Sequence, residues 1–166
     1  MATMTRRATT ADARAIGTVQ LRAWWRNYED IVGAQHLMEW DEESRAAHWV
    51  QLLDAGQSMT FVADVAGAIR GFASVAPSRE AAAPADEGEL LALYVDPPAQ
   101  GAGVGTALLA EATQELRATG YATAVLRVLR DNGLGRTFYE RHGWALVPDS
   151  DAPHPWGVHV LYRRDL

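Results

Sequence analysis

A glycine-rich turn is the segment of this chain with the clearest capacity for chemistry. It runs from Gln100 to Thr106 as Gln-Gly-Ala-Gly-Val-Gly-Thr, between an apolar run and a segment with helical periodicity. The first turn of a helix leaves backbone N–H groups unpaired and carries a partial positive charge. Glycines let a phosphate group approach that backbone closely. The spacing therefore predicts a binding site for a phosphate or a pyrophosphate.

Two common phosphate-binding patterns do not fit this turn. A Walker loop needs a lysine, and all 15 basic residues of the chain are arginines. The dinucleotide fingerprint Gly-x-Gly-x-x-Gly needs its third glycine at position 106 or 108, where Thr106 and Leu108 stand. The pattern that remains is Gln/Arg-x-x-Gly-x-Gly/Ala, followed by a helix.

With its flanking residues, the turn resembles the pyrophosphate loop of the GNAT N-acetyltransferase superfamily. The run Leu-Tyr-Val-Asp-Pro before the turn, from Leu93 to Pro97, is similar as well. The resemblance implies that acetyl-CoA is the acyl donor and that its pantetheine arm pairs with the backbone of the preceding strand. The residues that it assigns to acetyl-CoA are Leu93, Tyr94, Val95, Gln100, Gly101, Ala102, Gly103, Val104, Gly105 and Thr106.

A second motif further along the chain supports the same family. Residues 132–144, Asn-Gly-Leu-Gly-Arg-Thr-Phe-Tyr-Glu-Arg-His-Gly-Trp, resemble the GNAT pattern Asn-x-x-Ala-x-x-Phe-Tyr-x-x-x-Gly-Phe. The chain departs from the pattern at Gly135 and Trp144, and a glycine lowers helix stability by up to ~1 kcal/mol relative to alanine. The resemblance implies that Asn132 and Phe138 contact the cofactor. Capping of the following helix is a second role that Asn132 can hold at the same time.

The same resemblance assigns the acid–base chemistry. It implies direct transfer of the acetyl group to a primary amine, which must lose a proton, while the leaving thiolate gains one. Tyr139 stands at the position of the family's general acid, and the alternative is a tyrosine packed in the core. Glu89 is the predicted general base, directly or through a water, and the alternative is a solvated carboxylate at a strand edge. The chain has no cysteine to carry a covalent intermediate.

Aromatic residues near the N-terminus and in the last loop are candidates for the acceptor site. The family places its first helices there, which implies substrate-binding roles for Trp25, Tyr28 and, in the last loop, Trp156. Trp24 is expected to belong to the core. The five histidines lack the spacing of metal ligands, so no metal site is expected.

These residues need a fold that brings them together. The resemblance implies an α/β fold, a mixed and mostly antiparallel sheet flanked by helices, whose strands from Glu89 and from Thr123 splay apart around the acetyl-CoA arm. A helix that starts at the Thr9 capping box is expected to end in the aromatic segment 24–28. The other predicted helices cover residues 42–54, 104–119 and 132–142, and the predicted strands cover 5–8, 59–64, 68–76, 89–95, 123–129, 144–147 and 158–163.

Length and composition narrow the remaining classes of protein. A chain of 166 residues, 48% of them hydrophobic, is expected to form one domain over residues 1–166. It has no apolar run long enough to span a membrane and no signal-peptide pattern. Its net charge of −6 does not favour nucleic-acid binding, which rests on phosphate neutralisation. We therefore expect a cytoplasmic monomer or homodimer that binds neither nucleic acid nor membrane.

Three functions remain open at this point. The first is N-acetylation of a small-molecule amine by acetyl-CoA. The second is a catalytically silent, CoA-binding regulatory module on the same fold, against which the presence of Tyr139 and Glu89 argues. The third is acetylation of a peptide or protein N-terminus. The aromatic first helices favour the small molecule.

Overall fold

The structure, a computed structural model, describes residues 3–166. The helices are α1 (Ala13–Val32), α2 (Ala34–Leu37), α3 (Glu42–Ala55), α4 (Val104–Thr119) and α5 (Gly133–Arg141). The strands are β1 (Thr3–Arg7), β2 (Met59–Val65), β3 (Ala68–Pro77), β4 (Glu87–Val95), β5 (Thr123–Leu129), β6 (Ala145–Leu146), β7 (Ala152–His154) and β8 (Gly157–Asp165). The predicted α/β class is confirmed. No helix among these residues is long and apolar enough to cross a membrane.

The strands form one mixed, mostly antiparallel sheet in the order β1-β2-β3-β4-β5-β8-β6, and β7 pairs with β8. The central neighbours β4 and β5 run parallel. Within residues 3–166 they pair only from Glu87 to Glu89 on β4 and from Thr123 to Val125 on β5. Beyond these positions the two strands diverge, which confirms the expected splay.

Helices cover both faces of the sheet and fix the elements that reach the site. One apolar stripe of α4 faces the sheet, through the buried residues Val104, Leu108, Leu109, Ala112 and Leu116. On the other face, α1 and α3 pack against the sheet through Ile16, Val19 and Trp49, which contact Val62 and Phe72. Burial of each large apolar side chain stabilises the fold by ~1.5–3 kcal/mol.

The first helix is longer than predicted. Instead of ending between Trp24 and Tyr28, α1 continues to Val32 and ends at Gly33. Trp24, Tyr28 and Val32 follow one another at four-residue spacing and are all buried. Burying this stripe outweighs the helix-propensity cost of its aromatic residues, which is under ~1 kcal/mol each.

The C-terminal strands also differ from the prediction. β6 begins after Trp144, which is buried rather than part of the strand. No sequence pattern predicts β7, because Pro153 disfavours a strand. It forms by pairing with β8, where His159 lies opposite Ala152. The β7–β8 hairpin closes one end of the cavity that contains the candidate site.

Candidate active site

The divergence of β4 and β5 opens a cavity of about 920 Å³. Its walls are β4 from Leu90 on, β5 from Leu126 on, the glycine-rich turn, α5, the middle of α1 and the β7–β8 hairpin. Cavities of roughly 300–1,000 Å³ are typical of small-molecule and cofactor sites. The splayed sheet therefore creates a space large enough for a ligand, and the surrounding elements supply the contacts.

Most of the predicted site residues line this cavity. They are Tyr28, Leu93, Tyr94, Val95, Gln100, Gly101, Gly103, Gly105, Thr106, Asn132, Phe138, Tyr139 and Trp156. Four others, Trp25, Glu89, Ala102 and Val104, are not among the lining residues. The Val104 side chain packs in the core beneath α4, while its backbone begins that helix. Ala102 is exposed.

The glycine-rich turn presents its backbone to the cavity. Gly101 and Gly103 have φ values of 78° and 83°, a left-handed conformation that costs other residues ~1–2 kcal/mol. Gly103 is the N-cap of α4 and has no side chain to bond the first-turn amides. Those N–H groups, from Val104 on, remain available to an anion. The Gln100 side chain donates from Nε2 to the Val95 carbonyl at 3.1 Å, which holds the turn against β4.

An unpaired backbone edge of β4 runs along the cavity. The Asp96 N–H donates to the Arg70 carbonyl of β3 at 2.8 Å. Because backbone groups of successive strand residues point to opposite sides, Val95 and Leu93 direct theirs away from β3 and toward the gap before β5. A free strand edge pairs readily with an extended chain. The gap can therefore accept an extended ligand that carries amide groups.

Asn132 links α5 to α1 across the cavity. Its Oδ1 accepts a hydrogen bond from the Gly135 N–H at 3.0 Å and so caps α5. Its Nδ2 donates to the Tyr28 hydroxyl at 3.5 Å. A Cβ at position 135 would lie 2.7 Å from this Nδ2, which is too close for the amide to keep its place. The glycine that departs from the family pattern therefore makes room for the Asn132 side chain.

Three tyrosines face the cavity from different elements, Tyr28 on α1, Tyr94 on β4 and Tyr139 on α5. Burial raises the pKa of each phenol, and Tyr94 raises the pKa of the other two further. The ring of Tyr139 lies 5.4 Å from that of Phe138 and 6.2 Å from that of Trp144, between centroids. The three phenols stay protonated at neutral pH, so they can donate a proton but cannot accept one.

Glu89 lies outside the cavity lining and is bound by an arginine. Its side chain is buried, and it accepts hydrogen bonds from the Arg79 backbone N–H at 2.9 Å, from Nε at 3.1 Å and from Nη2 at 2.8 Å. The carboxylate is therefore neither solvated nor open to the cavity, because Arg79, from the loop between β3 and β4, faces it. Both carboxylate oxygens are therefore occupied by Arg79 and are not presented to the cavity.

Aromatic rings line the end of the cavity formed by α1 and the β7–β8 hairpin. The Trp156 ring lies 5.0 Å from that of Trp24, edge to face, and 5.9 Å from that of Tyr28, between centroids. The Trp40 ring lies 6.2 Å from that of Trp24. Trp24, which was expected in the core, is buried and lines the cavity as well. This end therefore offers an aromatic surface to a ligand.

Trp25 belongs to a different part of the surface. It lines a separate groove beside Arg22, Arg26 and Asp96. A helix turns by about 100° per residue, so Trp24 and Tyr28 share a face that Trp25 does not. The role of Trp25 in acceptor binding stays a prediction, which the position of Trp25 outside the cavity does not favour.

Several polar residues of the cavity are not evident from the sequence. His142 bonds through Nδ1 to the Phe138 carbonyl at 2.8 Å, and its Nε2 lies 3.2 Å from the Thr106 hydroxyl. His142 thereby connects the end of α5 to the first turn of α4. Its position four residues after Phe138, one helical turn away, is the sequence feature that could have indicated this role. Arg141, Arg127 and His159 also line the cavity, and Arg127 is paired with Glu80. Residues 3–166 contain no cluster of three or more side chains suited to holding a metal ion.

Comparisons with known proteins point to one family. The sequence profile described as the acetyltransferase (GNAT) family matches residues 19–144. YuaI of Bacillus subtilis (strain 168), named as an uncharacterized N-acetyltransferase, is 30% identical over 128 residues, which cover 76% of this chain and 72% of that protein. Among solved structures, the PaiA N-acetyltransferase of Thermoplasma acidophilum in complex with coenzyme A has a TM-score of 0.81 and 21% identity, over 100% of both chains. YncA of Salmonella typhimurium with acetyl-CoA has a TM-score of 0.75 and 20% identity, over 100% of this chain and 95% of that one.

Proposed function

This chain belongs to the acetyltransferase (GNAT) family, and on that basis we propose that it transfers the acetyl group of acetyl-CoA directly to the primary amine of a small molecule. The observation that carries the proposal is the glycine-capped start of α4, which borders the same cavity as Tyr139. The similar structures that contain coenzyme A or acetyl-CoA support the choice of donor.

The donor suits the two backbone features of the cavity. Its pyrophosphate is an anion of the kind that helix N-termini bind, and the amides that follow Gly103 are free to receive it. Its pantetheine arm carries amide groups that match the free backbone groups of Leu93 and the free N–H of Val95, whose carbonyl is already bonded to Gln100. The cationic side chain of Arg141, which lines the cavity, adds attraction for the phosphates.

Transfer requires stabilisation of charge on two atoms. The thioester carbonyl oxygen gains negative charge when the amine attacks, and a backbone N–H of the free β4 edge, near Val95, is a suitable donor to it. The departing thiolate then needs a proton. Tyr139 supplies it in our proposal, because its phenol lines the cavity and remains protonated at neutral pH.

The amine must also lose a proton, because amines are mostly protonated at neutral pH. The role of Glu89 as general base stays a prediction that requires Arg79 to leave the carboxylate. In the structure, Arg79 holds both carboxylate oxygens. The proposed mechanism therefore does not use Glu89, and the proton acceptor is expected among the residues that line the cavity.

The acceptor is proposed to be a small molecule with an apolar or aromatic body. Trp24, Tyr28, Trp40 and Trp156 line the cavity beside α1 and the β7–β8 hairpin. An aromatic pair contributes ~0.5–1.5 kcal/mol beyond the burial of its area. Such a surface favours a compact apolar amine over a polycation, for which the cavity would need several free carboxylates.

The test combines donor binding with turnover. Saturation at 100 times the dissociation constant stabilises the folded state by ~2.7 kcal/mol, which raises the unfolding midpoint by roughly 5–10 °C for a domain of this size. We expect this shift with acetyl-CoA and CoA but not with ATP or NAD. Thiol release should then follow from a panel of aromatic and aliphatic primary amines. Binding of acetyl-CoA without acetylation of any amine or N-terminal peptide would favour a silent CoA-binding module, and turnover with peptides alone would favour N-terminal acetylation.

A further inference from the structure

Two histidines of the β7–β8 hairpin line the acceptor end of the cavity. His154 and His159 face each other across the hairpin, with ring centroids 4.0 Å apart and planes inclined by 23°. His154 lies at the exposed tip, opposite Gly157 in the strand register, and His159 lies deeper, opposite Ala152. Stacking holds the His159 ring in one orientation at the wall of the cavity.

The hydrogen bonds of the two rings differ. The Nδ1 of His154 accepts from the Trp156 N–H at 3.1 Å, which places the proton of its neutral ring on Nε2. For His159, neither ring nitrogen has a hydrogen-bond partner among residues 3–166. The neutral His159 ring therefore offers a lone pair that no protein group occupies.

Burial, together with the charges around it, keeps His159 in its neutral form. Burial lowers its pKa to about 4, and the neighbouring His154 of β7 and Arg127 of β5 contribute to the shift in the same direction. Arg127 is itself bonded to Glu80, and no carboxylate among the described residues bonds to His159. The ring is therefore neutral at neutral pH and its free nitrogen can hold a proton only transiently, whereas the three cavity phenols already carry their protons.

We propose that His159 is the group that takes the proton from the acceptor's ammonium, an inference that rests on the proposed acetyl transfer. An ammonium N–H bond breaks, its electron pair stays on nitrogen, and the proton moves to the free ring nitrogen of His159. The amine nitrogen then attacks the thioester carbonyl, the C–S bond breaks and the thiolate takes the proton of Tyr139. The phenolate regains a proton from the acetylated nitrogen, and the imidazolium releases its own to solvent. The net products are the amide, CoA and one proton.

The same surroundings explain how His159 is reset. An imidazolium at this position is repelled by Arg127 and destabilised by burial, so it loses its proton readily. His154 is exposed at the tip of the hairpin, which gives the proton a short path to water. The uphill transfer from the ammonium is completed because the attack on the thioester consumes the free amine.

The test compares His159→Gln with His48→Gln, a control at an exposed position of α3 outside the cavity. General base catalysis contributes about 10²–10⁴-fold, so we expect kcat/KM for the amine to fall by at least about 10²-fold in His159→Gln and to stay unchanged in His48→Gln. The thermal shift with CoA should be the same in both variants. Glu89→Gln should keep most of the activity. With methoxyamine, a weakly basic acceptor that is already neutral at neutral pH, no proton has to be removed before attack, so the loss of kcat/KM in His159→Gln should be smaller.

A second variant separates proton transfer from a structural role. His159→Ala leaves space where the ring was, and added imidazole should restore turnover in a concentration-dependent way. An active wild type with unchanged His159→Gln kinetics, or a folded His159→Ala that imidazole does not rescue, overturns this inference alone. A wild type that binds acetyl-CoA and acetylates no amine overturns the proposed function and this inference together.

Discussion

The two ends of the cavity are built from different parts of the chain. At the proposed donor end the available groups belong to the backbone, namely the amides that follow Gly103 and the free edge of β4. At the acceptor end they come from side chains such as Trp24, Tyr28 and Trp156, carried by α1 and the hairpin. A backbone site depends on where helices and strands end, whereas a side-chain site depends on the direction in which each residue faces. A substitution at one end should therefore change the binding of the ligand proposed for that end and leave the binding of the other ligand unchanged.

Tyr139 lines the cavity from α5, and its loss should have the largest effect. Tyr139→Phe removes the proposed proton donor but keeps the ring that packs against Phe138 and Trp144. We expect kcat to fall by about 10²–10⁴-fold, measured by thiol release. The thermal shift with CoA should persist, because the donor is held by backbone. Full activity of this variant would show that the thiolate leaves without Tyr139.

A change in backbone conformation should weaken the donor end alone. Gly103→Ala places a side chain at φ 83°, where it costs ~1–2 kcal/mol. The turn relaxes and binding must restore it, so we expect the dissociation constant of acetyl-CoA to rise about tenfold, measured by titration. The KM for the amine should stay the same.

Gly56→Ala is the matched control for this strain. Gly56 follows α3 at φ 63°, and nothing lies within 4 Å of a Cβ placed there. The variant should unfold at a lower temperature and bind acetyl-CoA as the wild type does. Equal losses of donor affinity in both variants would mean that general destabilisation, and not the turn, controls binding.

Two tryptophans distinguish the acceptor end from the surface beside it. Trp156→Ala removes ring contacts at the cavity wall, worth ~0.5–1.5 kcal/mol each, and should raise the KM of the preferred amine by about tenfold. Trp25→Ala, in the separate groove, should leave that KM unchanged. Steady-state kinetics with varied amine measure both. A larger effect at Trp25 would move the acceptor site out of the cavity.

The smallest change in kinetics is expected from a substitution that disturbs the contact between Asn132, the N-cap of α5, and Tyr28 of α1. Gly135→Ala improves helix propensity by up to ~1 kcal/mol but pushes Asn132 off its cap, which costs ~1 kcal/mol. The unfolding midpoint should therefore change little, while the shifted amide frees Tyr28 and raises the amine KM a few-fold. Gly133→Ala is the control, since a Cβ there meets nothing within 4 Å. Equal kinetics of the two variants would show that the Asn132–Tyr28 contact has no part in acceptor binding.

The difference between backbone sites and side-chain sites also separates what the sequence can predict from what it cannot. The bounds of α4 and β5 match the predicted 104–119 and 123–129, because glycines mark both ends of α4 and an apolar run marks β5. The glycine-rich turn could be located for the same reason, since its residues are constrained by their own backbone. These signals are local in the chain.

The features that the sequence does not indicate all concern contacts between distant segments. Trp25 and Trp24 are indistinguishable in composition, and only the helix rotation places one in the cavity. The ion pair of Glu89 with Arg79 depends on how a loop folds back on β4. β7 exists because β8 is beside it, and His159 acquires its place only through that hairpin. Helical periodicity separates Trp25 from Trp24 and Tyr28, but it does not indicate which face of α1 meets the hairpin, and it indicates neither of the other two contacts.

The short parallel seam between β4 and β5 has a consequence for the handling of the protein. Most sheets keep their unpaired edges at the outside, whereas this one carries two such edges in its middle, and unpaired edges promote association between chains. A donor that fills the gap covers both of them. We therefore expect the protein stored without acetyl-CoA or CoA to precipitate sooner than the saturated protein, so that shelf life, followed by light scattering, reports on whether the gap is filled.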